Sequence, residues 1–288
     1  MPIPPPRLSG FTRTTPVPLF WREDGPPDGQ VLLVLHGGPG AHYDYLYPQM
    51  LALAERHRVI TYDQRGGGQS RTDDPSPVTR QNQVDDLALL IAELGLVSVT
   101  LVGYSWGGLL AMLYAIEATA TGLLPLPDRM VLISPAPITR EWRNAFETTL
   151  LERQRSPAIQ TMRAELSASG LRDRDIHAYR QRSFELSVAG YFADPRLAHS
   201  LTPFRVTGKV QQSIWASLGD FDLRAALRGV RLPVLVVHGL EDPIPLPSSE
   251  AVAASLGGEL VVLESCGHVP YVEQPAALFA AVERFLGT

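Results

Sequence analysis

Short runs of branched apolar residues recur along the chain without alternation. They are VLLVLHGG from Val31, RVITYD from Arg58, VTLVGY from Val99, RMVLIS from Arg129, LPVLVVHG from Leu232 and ELVVLES from Glu259. A strand covered on both faces needs this pattern, whereas a strand with one wet face alternates. Between the runs, residues 79–94 carry apolar positions at helical spacing and stop at Gly95, and residues 274–286 do the same at the end of the chain. Strands alternating with helices predict an α/β fold, a doubly wound and mostly parallel sheet with right-handed crossovers.

One connection breaks the rhythm. From Ser134 to Val230 no core strand is evident, which leaves a connection of roughly a hundred residues where crossovers are normally far shorter. This stretch is rich in helix formers, as in REWRNAFETTLLERQ and PAIQTMRAELSASG, with polar breaks at Ser156-Pro157 and from Leu171 to Asp175. The pattern predicts a helical cap (lid) domain over 135–227, inserted into a core domain made of 1–134 and 228–288.

Composition narrows the function classes. At 288 residues, with 45% hydrophobic and 19% charged residues, the chain is long enough for a sizeable core and too apolar for disorder. The formal net charge of −5 and the absence of basic clusters disfavour nucleic acid as a partner. Lys209 is the only lysine and Cys266 the only cysteine, so an intrachain disulfide and a CxxC metal or redox motif are both excluded. The opening MPIPPPRLSGFTR lacks the apolar core of a signal peptide, and no run of about 18 apolar residues exists to span a bilayer. The expectation is a soluble, cytoplasmic protein.

The chemistry gathers where apolar runs end. Gly103-Tyr104-Ser105-Trp106-Gly107 fits G-x-S-x-G after a strand and before a helix, a sharp turn that exposes a serine at its tip. A serine needs a base, and the base needs a group to orient it. In the order that accompanies such a turn, HGLEDPIP places Asp242 after one strand and SCGHVPYVEQP places His268 after the next. Glu241 stands beside Asp242 as an alternative. Attack on a carbonyl also needs donors for the developing oxyanion, each worth about 2.7–4 kcal/mol of barrier. The Trp106 N–H is one, and the loop LHGGPG offers Gly38 N–H or, second, Gly37 N–H. Asp63 and Arg65 read as a buried ion pair or loop hydrogen bonds steadying the turn, and Cys266 as packing. His57 is expected on the surface, His177 and His199 in the cap, and His238 in a structural hydrogen bond.

HGGPG at His36–Gly40, DQRGGGQS at Asp63–Ser70, GYSWGG at Gly103–Gly108 and GHVPYVEQP at Gly267–Pro275 together resemble the α/β-hydrolase superfamily, specifically its proline iminopeptidase-like branch. The resemblance covers nearly the whole sheet domain. It implies the α/β-hydrolase fold, a Ser-His-Asp triad of Ser105, His268 and Asp242, no metal or organic cofactor, and release of N-terminal proline or another small residue from short peptides. It also implies a cap acid that holds the substrate's free amino group, for which Glu185 in RSFELSVAGYF is the candidate.

Two other readings stay open: a carboxylesterase or lactonase acting on small non-peptide esters with the same residues, and a catalytically silent binding protein on the same fold. Related chemistry that needs an aspartate at the turn is not expected, since Ser105 occupies that place.

Overall fold

Val31–Leu35 (β3), Arg58–Tyr62 (β4), Thr100–Tyr104 (β5), Arg129–Ile133 (β6), Val234–Gly239 (β7) and Glu259–Leu263 (β8) line up in parallel, one for each apolar run. In the computed structural model, which describes residues 3–73 and 76–287, two further strands join them: Leu8–Phe11 (β1) and Phe20–Asp24 (β2), both antiparallel. Among the described residues the sheet runs β1-β2-β4-β3-β5-β6-β7-β8. Every residue of β5 and β7 is buried, as continuous apolar runs require. Burying one such Val or Leu side chain is worth roughly 1.5–3 kcal/mol.

The two antiparallel strands have no apolar signature because β2 buries charge. Arg22, Glu23 and Asp24 are each under a tenth exposed. They survive there by pairing: Arg22 with Asp24 at 2.6 Å, and Glu23 with Arg58 at 2.8 Å and with Arg7. Of the opening proline-rich stretch, Met1 and Pro2 lie outside the described residues.

Helices cover both faces. Arg80–Glu93 (α1) starts on a capping box, the Thr79 side chain accepting from Asn82 N–H, and Trp106–Thr121 (α2) packs along β5. Beyond β6 the chain runs through Arg140–Gln154 (α3), Pro157–Ala168 (α4), Leu171–Arg174 (α5), Ile176–Val188 (α6), Gly208–Leu218 (α7) and Arg224–Leu227 (α8) before β7. Its way out and its way back meet. Arg140 N–H donates to Phe221 O at 2.9 Å and Leu223 N–H to Ile138 O at 2.9 Å, so the helical stretch leaves and rejoins the sheet side by side. Leu246–Leu256 (α9), Pro270–Glu273 (α10) and Pro275–Leu286 (α11) complete the fold. Leu171–Arg174, read as a break, is a single helical turn. No helix among the described residues is long and apolar enough to cross a membrane.

One sequence expectation needs correction. His57 is 1% exposed, because the preceding 3-10 turn Gln49–Glu55 lies against α11 and brings its Nε2 within 3.2 Å of Glu283. The expectation for Asp63 and Arg65, a buried ion pair or loop hydrogen bonds, is met with partners other than each other. Arg65 reaches Asp86 on α1 at 2.5 Å, while the Asp63 carboxylate accepts from Tyr43 N–H at 3.0 Å and Gln69 N–H at 2.8 Å. Asp63 thereby ties the loop after β4 to the segment after β3. An Asp63→Asn variant keeps one acceptor oxygen and leaves a buried N–H without a partner, so it should lose about 1–3 kcal/mol of stability. A lowered urea midpoint with an unchanged slope checks this.

Candidate active site

Ser105 stands between the last residue of β5 and the first of α2 at φ 52°, ψ −117°, a backbone region that residues with side chains avoid. Such a residue costs on the order of 1–3 kcal/mol unless its surroundings hold it. Here they do. Ser105 N–H donates to Ile133 O at 2.9 Å, and Ser105 O accepts from Ala136 N–H at 2.8 Å. The flanking glycines are required by contact: a Cβ on Gly107 would lie 2.0 Å from Leu35 O, and one on Gly103 would lie 2.5 Å from Gly107 O. Without them β3, β5 and α2 could not come this close.

The tip aims the serine at His268. Ser105 Oγ is 3.0 Å from His268 Nε2, and His268 Nδ1 is 2.9 Å from Asp242 Oδ2. The proton arrangement that satisfies all three groups puts the imidazole hydrogen on Nδ1, donating to the carboxylate, and leaves Nε2 to accept from the serine. Burial resists ionisation of Asp242, but the imidazole and the Ile244 N–H at 2.8 Å overcome it and hold the carboxyl below its ordinary range. Glu241 is committed elsewhere: its carboxylate accepts from Cys266 N–H at 2.9 Å. Cys266 itself is buried, and burial pushes its thiol well up.

Backbone clamps fix His268. His268 N–H donates to Tyr191 O at 2.7 Å, and Tyr104 Oη–H donates to His268 O at 3.0 Å. Glu273, on α10, accepts from Gly267 N–H at 2.8 Å with one oxygen and from Ala193 N–H at 2.7 Å with the other. It thus joins the His268 loop to the helical stretch. The rings of Tyr191 and Tyr104 stand 5.3 and 5.4 Å from the imidazole.

Of the oxyanion-donor candidates, Trp106 and Gly38 border the cavity above Ser105. Trp106 N–H belongs to the first turn of α2, whose amides have no intrahelical partner. Gly37 passes so close that a Cβ there would sit 2.9 Å from Ser105 Cβ, and its backbone is hydrogen-bonded to the Tyr45 hydroxyl, which leaves Gly38 the freer donor. Gln64 joins these parts. Its Oε1 accepts from Trp106 Nε1 at 2.8 Å, its Nε2 donates to His36 O at 2.8 Å, and its N–H donates to His36 Nε2 at 3.1 Å. His36 is neutral, burial pulling it down to about 4. His238 bonds Ser249 Oγ at 2.9 Å.

The cavity at Ser105 is small, about 110 Å³, and aromatic, with Phe146, Tyr191, Phe204 and Trp215 in its wall. Among the described residues no carboxylate lines it and one arginine does: Arg143 on α3 lies over the Trp215 ring at 4.0 Å and pairs with Glu147 at 2.5 Å. Glu185 is not brought to this cavity. Buried on α6, it accepts from Arg182 at 2.6 Å and from Gln181 at 3.1 Å. Sequence reasoning passed over Arg143, Gln64 and Glu273. The last two lie inside DQRGGGQS and GHVPYVEQP, where their motifs could have drawn attention to them; nothing in the spacing of α3 marks Arg143. Among the described residues no three His, Cys, Asp or Glu side chains group as a metal site.

A model of the alpha/beta hydrolase family matches residues 31–282. A proline iminopeptidase of Lactobacillus helveticus is 28% identical over 278 residues, covering 92% of this chain and 91% of that one. Among solved structures, a proline iminopeptidase-related protein of Thermus thermophilus superposes with a TM-score of 0.73 at 23% identity, covering 97% of each chain. An enol-lactonase of Burkholderia xenovorans superposes with a TM-score of 0.66 at 20% identity, over 97% of this chain and 100% of that one.

Burial raises the Glu273 carboxyl to about 7 from 4.5, against the pull of its backbone donors. A raised folded-state value means that this group's contribution to stability is present below the unfolded value and is lost as pH rises through the folded one. The stability difference between the native protein and Glu273→Gln should therefore shrink as pH rises from about 4.5 to about 7. Paired urea titrations across that range test it; a constant difference would count against the assignment.

Proposed function

The chain belongs to the alpha/beta hydrolase family, and on that premise we propose that it is a serine hydrolase working through an acyl-enzyme. The observation that carries this reading is the unbroken relay from Ser105 Oγ to His268 Nε2 at 3.0 Å and from His268 Nδ1 to Asp242 at 2.9 Å. Ser105 Oγ attacks the substrate carbonyl carbon as His268 Nε2 takes its proton. Trp106 N–H and Gly38 N–H receive the oxyanion. His268 then protonates the leaving group, and a water repeats the sequence to release the acid. Asp242 keeps the imidazole in the working tautomer and stabilises its cation. Residues 135–227 form the cap over a core of 1–134 and 228–288, closing the cavity with Phe146, Tyr191 and Trp215.

For the substrate, the similarity to proline iminopeptidases favours an N-terminal proline or another small residue on a short peptide. That reading needs an acid for the substrate ammonium, and Glu185 would have to leave Arg182 to provide it. A second reading, hydrolysis of small carboxylic esters or lactones, is favoured by a specific observation: among the described residues the cavity at Ser105 is lined by an arginine and no carboxylate. A buried ammonium left without a counter-charge there is strongly disfavoured.

A fluorophosphonate probe should label Ser105, and Ser105→Ala should lose both the adduct and turnover, the latter by about 10⁶-fold. Labelling elsewhere, read by peptide mass spectrometry, would end the reading. Asp242→Asn should keep the fold and lower kcat by about 10⁴-fold, since the amide presents the wrong partner to Nδ1. Prolyl and alanyl arylamides assayed beside acyl esters and lactones separate the two substrate readings. Turnover confined to the arylamides supports the peptidase; turnover confined to the esters or lactones supports the second reading.

A further inference from the structure

A second and larger hollow adjoins the cavity at Ser105. Phe204 and Val206 belong to the walls of both, and the outer cleft encloses about 1380 Å³. Its lining carries Arg71, Arg180, Arg205 and Lys209 against a single acid, Asp73, among the described residues. That balance runs opposite to the chain, whose net charge is −5, and it includes the only lysine of the sequence.

Some exposed arginines of this protein hold carboxylates: Arg196 with Asp194 at 2.8 Å, Arg224 with Asp222 at 2.5 Å, Arg284 with Glu259 at 2.5 Å. Arg180, Arg205 and Lys209 have no such partner among the described residues, and Arg71 donates to the Gly68 carbonyl at 3.2 Å. Like charges converging on one concave surface repel one another and raise the local potential for anions. Inside, Arg143 borders the catalytic cavity with its charge paired to Glu147 at 2.5 Å.

We propose that the outer cleft binds the anionic end of a two-part substrate whose small apolar end occupies the cavity at Ser105. The inference rests on the serine hydrolase reading for the position of the scissile bond. An anion could arrive by two routes, as the C-terminal carboxylate of a short peptide or as an acid group on an ester.

The test is equilibrium binding to the Ser105→Ala protein, which cannot turn the probes over, measured by calorimetry on two matched pairs. One pair is L-prolyl-glycyl-glycine and its C-terminal amide; the other is 3-(4-acetoxyphenyl)propionate and its amide. In low salt the acid of at least one pair should bind about tenfold tighter than its amide, the scale of one hydrogen-bonded charge contact. The preference should vanish in the triple variant Arg180→Gln, Arg205→Gln, Lys209→Gln, whose side chains are exposed, and in about 1 M salt, where screening acts beyond about 3 Å. The pair that responds identifies the source of the anion. The proposal is overturned if neither acid binds, if both pairs show less than a tenfold preference, or if the preference survives the triple variant. Failure of fluorophosphonate labelling at Ser105 would instead overturn the hydrolase reading, and the binding comparison is read independently of it.

Discussion

Everything near Ser105 depends on a turn that cannot hold itself. A side-chain-bearing residue at φ 52° relaxes unless its neighbours forbid it, and here the prohibition comes from backbone packed on backbone. Gly103 and Gly107 let three segments close to a separation that any Cβ would prevent. The amide of Gln64 then latches the helix end of the turn to the loop after β3 through Trp106 and His36. The position of Ser105 is thus a property of three loops together. A change in the loop after β4 reaches the serine without touching it.

That dependence explains what could be read in the sequence. Burial on both faces leaves little choice of residue, so the central strands announce themselves as apolar runs. A sharp turn under contact constraint leaves little choice either, so its glycines mark Ser105. The loops at the carboxyl ends of β7 and β8 point to Asp242 and His268 for a similar reason, since the parallel sheet delivers all such loops to one edge.

Where the constraint is a partner distant in sequence, the signal fades. Phe20–Asp24 is a strand because Arg22, Glu23 and Asp24 find counter-charges there, and no local pattern predicts that a charged run will be buried. His57 is hidden for the same reason, its partner lying on the last helix. In the helical stretch after β6, helix content follows from composition, but which face meets Ser105 is decided by packing. Arg143 and Tyr191 therefore came to the cavity unannounced, and Glu185, chosen by residue type, turned to its own helix.

The bond from His268 N–H to Tyr191 O has a further consequence. Together with Glu273, which grips Ala193 and Gly267 at once, it fastens the imidazole to the segment that roofs the cavity. Raising that segment would drag on the loop that carries the imidazole and weaken its hold on the serine. On the proposed hydrolase reading, the contact of Ser105 with His268 would then be kept only while the roof is seated, so that access from solvent and readiness to react would alternate.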